Sequence, residues 1–107
     1  MPEQPHQFQY KRQTAVSRKI IGINPETDIR VRILGHIIDK SDGVLVVDDG
    51  SAKAEIVTDD FDAFDIDDTV RIFCRVLPLE NGYELRAEII QKLNSMDMEL
   101  YRKVYGD

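Results

Sequence analysis

Two kinds of chemistry lack the residues they need. A single cysteine, Cys74, cannot close a disulfide within the chain, and the two histidines, His6 and His36, have no ligand spacing around them. Neither a structural zinc site nor a thiol redox pair is expected. There is also no serine nucleophile elbow, no glycine-rich phosphate loop and no cysteine–histidine pair in a supporting context. The expectation is a protein that is not an enzyme and carries neither metal nor cofactor. No run of eighteen apolar residues occurs, so no membrane-spanning helix is expected. The leading stretch MPEQPHQFQYKRQTAVSRK has bases, but no apolar segment with a small-residue cleavage site behind them. The expected location is therefore intracellular: cytoplasm or nucleoid in a prokaryote, nucleus in a eukaryote.

Bases are outnumbered, 14 against 20 acids, giving a net charge of −6. Phosphate binding draws on Lys and Arg, so this balance argues against nucleic acid until its distribution is read. Residues 59–69, DDFDAFDIDDT, hold six aspartates and no base, which equals the whole net charge. Elsewhere the chain is neutral with a basic leader. The acidic stretch is read as a solvated face, with mimicry of nucleic acid toward a basic partner as the alternative. It is not a calcium loop, because the mid-loop glycine and the terminal bidentate glutamate are missing.

At 107 residues the chain is one domain with one modest core. Residues 1–13, rich in Gln and Pro, lack the apolar content to fold alone and are expected to be a flexible tail. In the domain spanning 14–107, VSRKIIGI reads as a short extended segment stopped by the turn NPETD. DIRVRILGHIIDK then alternates, with Ile29, Val31, Ile33, Gly35 and Ile37 on one face, which predicts a long strand bent at Gly35. SDG turns the chain into VLVV, and DDGS turns it into AKAEIV. Asp49-Gly50 and Gly50-Ser51 both suit the centre of that second hairpin, and both put Leu45, Val47, Ala52, Ala54 and Ile56 on one side. Phe61, Phe64 and Ile66 fall near helical spacing, predicting a short helix between the third and fourth strands. VRIFCRVL and YELRAEII flank LENG, where Asn81-Gly82 predicts a type I′ turn. That turn sets Cys74 opposite Ile89, Arg75 opposite Glu88 and Phe73 opposite Ile90. Finally, residues 95–105 predict a helix capped by Ser95 and ended by Gly106, with Met96, Leu100 and Val104 as its apolar stripe.

Five strands, with a plug between the third and fourth and a helix at the end, follow the order of an all-β, five-stranded OB-fold Greek-key barrel. The runs IRVRILGHIIDKSDGVLVVDDGSAKAEIV, DTVRIFCRVLPLENGYELRAEII and MDMELYRKVYGD together resemble the OB-fold modules of replication protein A. The similarity is to its small single-barrel subunits and related archaeal proteins, in which a DGS-like or DGT-like turn follows an apolar strand and a D-x-x-L-Y helix closes the chain. It covers residues 14–107. The resemblance implies single-stranded DNA binding in replication and repair, within a complex assembled through terminal helices. It also implies that a small subunit gives more to assembly than to DNA contact.

Candidate binding residues lie on the outward positions. Arg30, Arg32, Arg71 and Arg75 are expected to be neighbours with Phe73 among them, and Lys53 and Arg86 point outward from other strands. Bases beside a ring are what a single strand needs, since phosphates are neutralised and bases stack. The alternative is internal pairing, Arg75 with Glu88 and Phe73 with Ile90. Val44 and Val46 stand where a strong binder would place aromatics. On the terminal helix, Met96, Leu100, Tyr101, Val104 and Tyr105 are the candidate interface to partner subunits or to a second copy of the chain. The acidic glycine turn at Asp48 and Asp49 is read as a register-setting hairpin, because carboxylates repel phosphate.

Overall fold

A computed structural model describes residues 15–93. The predicted tail, the helix 95–105 and its five candidate interface residues therefore lie outside the described residues. Six strands are present: β1 Val16–Ser17, β2 Arg30–Ser41, β3 Val44–Asp48, β4 Lys53–Val57, β5 Thr69–Leu79 and β6 Gly82–Lys92. Neighbours run β1-β2-β3-β4-β6-β5, and β2 also pairs with β5, which closes the last five into a barrel. Every barrel pair is antiparallel except β4 with β6. This is the OB-fold order that the strand pattern predicts.

Alternation fills the lumen. Val31, Ile33, Ile37, Leu45, Val47, Ile56, Val70, Ile72 and Cys74 are all at 0 % exposure, with Val76 and Leu85 beside them. Ala52 and Ala54 pack against this core from β4 and the turn before it. Burial of each large aliphatic side chain stabilises the fold by about 1.5–3 kcal/mol. Gly35 sits where β2 must curve. A methyl group there would stand 2.7 Å from the Asp48 carbonyl oxygen and 2.8 Å from Val47 Cγ1, so only glycine lets β3 come this close. The strand then bulges between Ile37 and Asp39 as it passes from β5 to β3.

Three expectations are corrected. The plug is a three-residue 3-10 turn, Phe61–Ala63, with no side-chain cap. Aspartates are poor helix formers, and the segment is instead stitched to the β2 bulge: Ile37 N–H donates to Asp68 O at 2.9 Å and Asp67 N–H to Ile37 O at 2.7 Å. The LENG turn closes on the pair Leu79–Gly82, so Glu80 and Asn81 form the loop. Gly82 has φ +112° while neither loop residue has positive φ, which excludes a type I′ turn and matches a turn closed by a glycine bulge. A second bulge, between Phe73 and Cys74, then shifts the β5–β6 register. Cys74 faces Ala87 and Phe73 faces Ile89 rather than Ile90, and Ile89 is turned outward at 53 % exposure.

The expected extended segment before β2 is half strand. Val16 and Ser17 pair in parallel with Val31 and Arg32, and a 3-10 turn at Ile20–Gly22 follows. Two carboxylates fasten it. Arg18 holds the buried Asp28 through Nε and a terminal nitrogen, both at 3.2 Å, and Asp28 Oδ2 also accepts from Asn24 N–H at 2.9 Å. Asp49 Oδ2 accepts from Ile20 N–H at 2.7 Å.

Candidate nucleic-acid interface

The OB fold usually binds on the face of its second and third barrel strands, between the loops that follow the first and fourth. Here that face belongs to β3 and β4, and its outward side chains are Val44, Val46, Asp48, Lys53, Glu55 and Val57. It has one base, two acids and no ring. The flanking loops are short turns, at Asp42–Gly43 and Glu80–Asn81. A phosphate chain finds little here to neutralise it, and a base nothing to stack on.

The arginines gather on another side of the barrel. Cross-strand pairing aligns three rows over β2, β5 and β6: Arg30–Arg75–Arg86, Arg32–Phe73–Ile89 and Leu34–Arg71–Gln91. The expected neighbourhood of Arg30, Arg32, Arg71, Phe73 and Arg75 is thus present, and Arg86 joins it. Lys53 does not. It lies four residues along β4 from Val57, the partner of Arg86, roughly 13 Å away along the strand.

Carboxylates and amides temper this surface. Arg30 Nε donates to Glu88 Oε1 at 2.9 Å, so Glu88 serves Arg30 and not Arg75 as the register had predicted. Arg86 pairs with Glu84. Arg71 Nε donates to Gln91 Oε1 at 2.8 Å, and its guanidinium carbon lies 5.9 Å from the centre of the Phe73 ring. Arg32 is likewise engaged. Arg75 is exposed at the centre of the first row, flanked on both sides by guanidiniums that each hold a carboxylate. The surface can place cations beside one ring whose face is already shared with Arg71. Leu34 stands on it as the alternation of β2 predicts, whereas Ile89 and Gln91 are not foreseen there, because the bulge that aims them outward has no signature in the local alternation.

Asp49 is the other residue whose role pairing alone did not reveal. Gly50 and Ser51 form the centre of the β3–β4 turn, since Asp48 pairs with Lys53 and Asp49 N–H donates to Ala52 O. Asp49 Oδ1 accepts from Ser51 N–H at 2.8 Å, Ser51 Oγ at 2.6 Å and Ala52 N–H at 3.3 Å. Burial works against its charge, but these donors and Ile20 N–H hold its carboxyl below the ordinary aspartate value. Its lone pairs face the protein's own donors, so the turn serves the fold and is not a ligand site. His36 Nδ1 lies 3.1 Å from Thr69 Oγ1 at the rim. Among the described residues no group of His, Cys, Asp and Glu could hold a metal ion.

No family model matches the chain, and no curated protein matches it significantly. Solved structures share its fold. The telomere capping protein Ten1 from Saccharomyces pombe superposes with a TM-score of 0.64 at 19% identity, over 85% of this chain and 93% of Ten1. The S. pombe Stn1–Ten1 complex gives 0.62 at 19% identity, over 86% of this chain and 89% of the matched one. A replication protein A heterotrimer bound to single-stranded DNA gives 0.58 at 10% identity, over 77% and 72%. At these identities the likeness is one of fold, and it places the barrel among OB folds.

Proposed function

We propose that this chain is an OB-fold subunit of a replication-protein-A-like complex that handles single-stranded DNA inside the cell, and that its barrel serves assembly more than base reading. The observation that carries this reading is a single barrel that spans 93% of Ten1, a protein also seen in complex with Stn1. The heterotrimer bound to single-stranded DNA supports the same class of work, in replication or repair. The assembly role draws on the β3–β4 face, whose valines and net negative charge suit neither phosphates nor bases. In this reading Met96, Leu100, Tyr101, Val104 and Tyr105 contact the partner subunit, which is a different chain or a second copy of this one. No catalytic step is assigned to it.

A second reading is favoured by the three arginine rows: direct contact with single-stranded DNA along Arg30, Arg32, Arg71, Phe73, Arg75 and Arg86, with Lys53 outside that path. The two are separated by titrating fluorescent oligo(dT) with the full chain at low and moderate salt, alongside light scattering on a sizing column. Assembly predicts weak or absent binding and particles heavier than one chain that Leu100→Asp dissociates. Tight, salt-sensitive binding by a monomer, reduced by Arg71→Ala and Phe73→Ala, overturns it in favour of the second. A monomer that does not bind overturns both.

A further inference from the structure

The barrel is joined least where β4 meets β6. Only Ile56–Leu85 and Val57–Arg86 pair there. Continued in the same register, Lys53, Ala54 and Glu55 would face Gly82, Tyr83 and Glu84, but those rungs are not formed. In their place is an open groove of about 360 Å³ lined by Lys53, Ala54, Glu55 and Val57 on one wall and Leu79, Tyr83, Glu84 and Leu85 on the other.

Both walls are strand edges. Asp49 N–H donates to Ala52 O and Thr58 N–H to Gly43 O, which fixes the alternation along β4. The backbone groups of Ala54 and Ile56 point to β3, and those of Lys53, Glu55 and Val57 point away from it toward β6. On the opposite wall Tyr83 pairs with Pro78, which has no N–H to give. Tyr83 therefore occupies a non-hydrogen-bonded position toward β5 and turns its own N–H and C=O to the groove. Beyond the two rungs Ile56–Leu85 and Val57–Arg86, no pairing joins Lys53, Ala54 or Glu55 to Gly82, Tyr83 or Glu84.

We propose that this groove takes an extended segment of a partner protein as an added strand, and that the segment carries a carboxylate and a cation two residues apart around an apolar residue. The charge pattern follows from β4, whose outward Lys53 and Glu55 are spaced by two and would face an acid and a base across an added strand. The apolar residue between them points to the Ala54 side, over Leu79, which is 55 % exposed, and the half-buried Tyr83. Main-chain bonding supplies attraction, and the alternating charges set register. This inference goes beyond the assembly reading and does not depend on residues 94–107 or on DNA.

The test uses two blocked peptides of about six residues, one with Asp-Val-Lys and one with Lys-Val-Asp at the centre, one for each strand direction. Each is titrated into the ¹⁵N-labelled full chain, followed by NMR and amide hydrogen exchange. One peptide is expected to shift and protect the amides of Lys53, Glu55 and Tyr83. Glu55→Pro removes a donor that faces the groove and leaves the β3–β4 ladder intact, so it should abolish binding without lowering the thermal midpoint greatly. The exchange variant Lys53→Glu with Glu55→Lys keeps every backbone donor. It should weaken the bound peptide about fivefold and prefer the peptide with its charges swapped. No shift with either peptide, shifts confined to the arginine rows, or oligo(dT) moving these same amides would overturn the proposal.

Discussion

Asp49 shows how much one carboxylate can do in a small barrel. It ties the β3–β4 turn to the 3-10 turn of the leading segment, 29 residues away, through Ile20 N–H. Replacing it with Ala strands four donors and is expected to cost about 1–3 kcal/mol in a urea titration. Asp28 is held low by Asn24 N–H, against an opposing effect of burial, and by Arg18; Asp68 is held low by Asp65 N–H, again against burial, and by Lys92 and Lys40. The sign of the pH effect follows. Each of these groups loses its proton more readily folded than unfolded, so the folded state binds fewer protons in acid. Their contribution is complete above the unfolded value, near 4, and is lost as pH falls through the lower folded values. Urea midpoints should therefore fall from about pH 5 downward, and the fall should be shallower in Asp49→Asn. Cys74 behaves in the opposite sense, since burial, with Glu88 adding to it, pushes its thiol up to about 12. A disulfide reagent at neutral pH should label it only on unfolding, and rapid labelling of the native chain would contradict its place in the core.

At the scale of elements, Gly35 is the point on which the barrel bends. Gly35→Ala must push a methyl group into the Asp48 carbonyl and Val47, both at under 3 Å. A loss of about 1–3 kcal/mol is expected by chemical denaturation, with Gly22→Ala, where nothing lies within 4 Å, as the control. The need for a bend at Gly35 was legible in the sequence, as were the inward faces of β2, β3, β4 and β5, because each depends only on alternation within one strand. What lay between strands was not. The pairing of β5 with β6 differs in two places: Gly82 follows the turn instead of forming it, and a mid-strand bulge beside Phe73 throws Ile89 to the surface. Neither event changes the composition or period of VRIFCRVL or YELRAEII. The plug failed for a different reason, since Phe61, Phe64 and Ile66 suit a helix while the backbone bonds from Asp67 and to Asp68 are made with β2. On the candidate interface, the adjacency of Arg30, Arg32, Arg71, Phe73 and Arg75 was readable once β2 was set beside β5. The engagement of Arg30 by Glu88 was not, because it depends on the bulge.

At the scale of the barrel as a whole, the described residues set arginines in rows over β2, β5 and β6 and the aspartates of 59–69 on the connection from β4 to β5. Asp65 and Asp68 stand near Lys40 and Lys92, at 4.0 and 3.4 Å. Asp59, Asp60 and Asp62 are exposed. Their neutralisation as Asp59→Asn, Asp60→Asn and Asp62→Asn would move the net charge from −6 to −3 and leave the stitched part of the loop alone. Two unit charges about 20 Å apart in water interact by roughly 0.2 kcal/mol, so three of them acting on several phosphates amount to about a kilocalorie. Oligo(dT) affinity at low salt should therefore tighten severalfold in the triple variant. The Debye length falls from about 30 Å at 0.01 M salt to about 8 Å at 0.15 M, so the gain should fade over that range. Anisotropy titrations at the two salt concentrations check both statements. A gain that persists at the higher salt would mean that the loop touches the strand directly. An absent gain at the lower salt would mean that any bound strand runs beyond reach of the loop's field, and would count against DNA contact on the arginine rows.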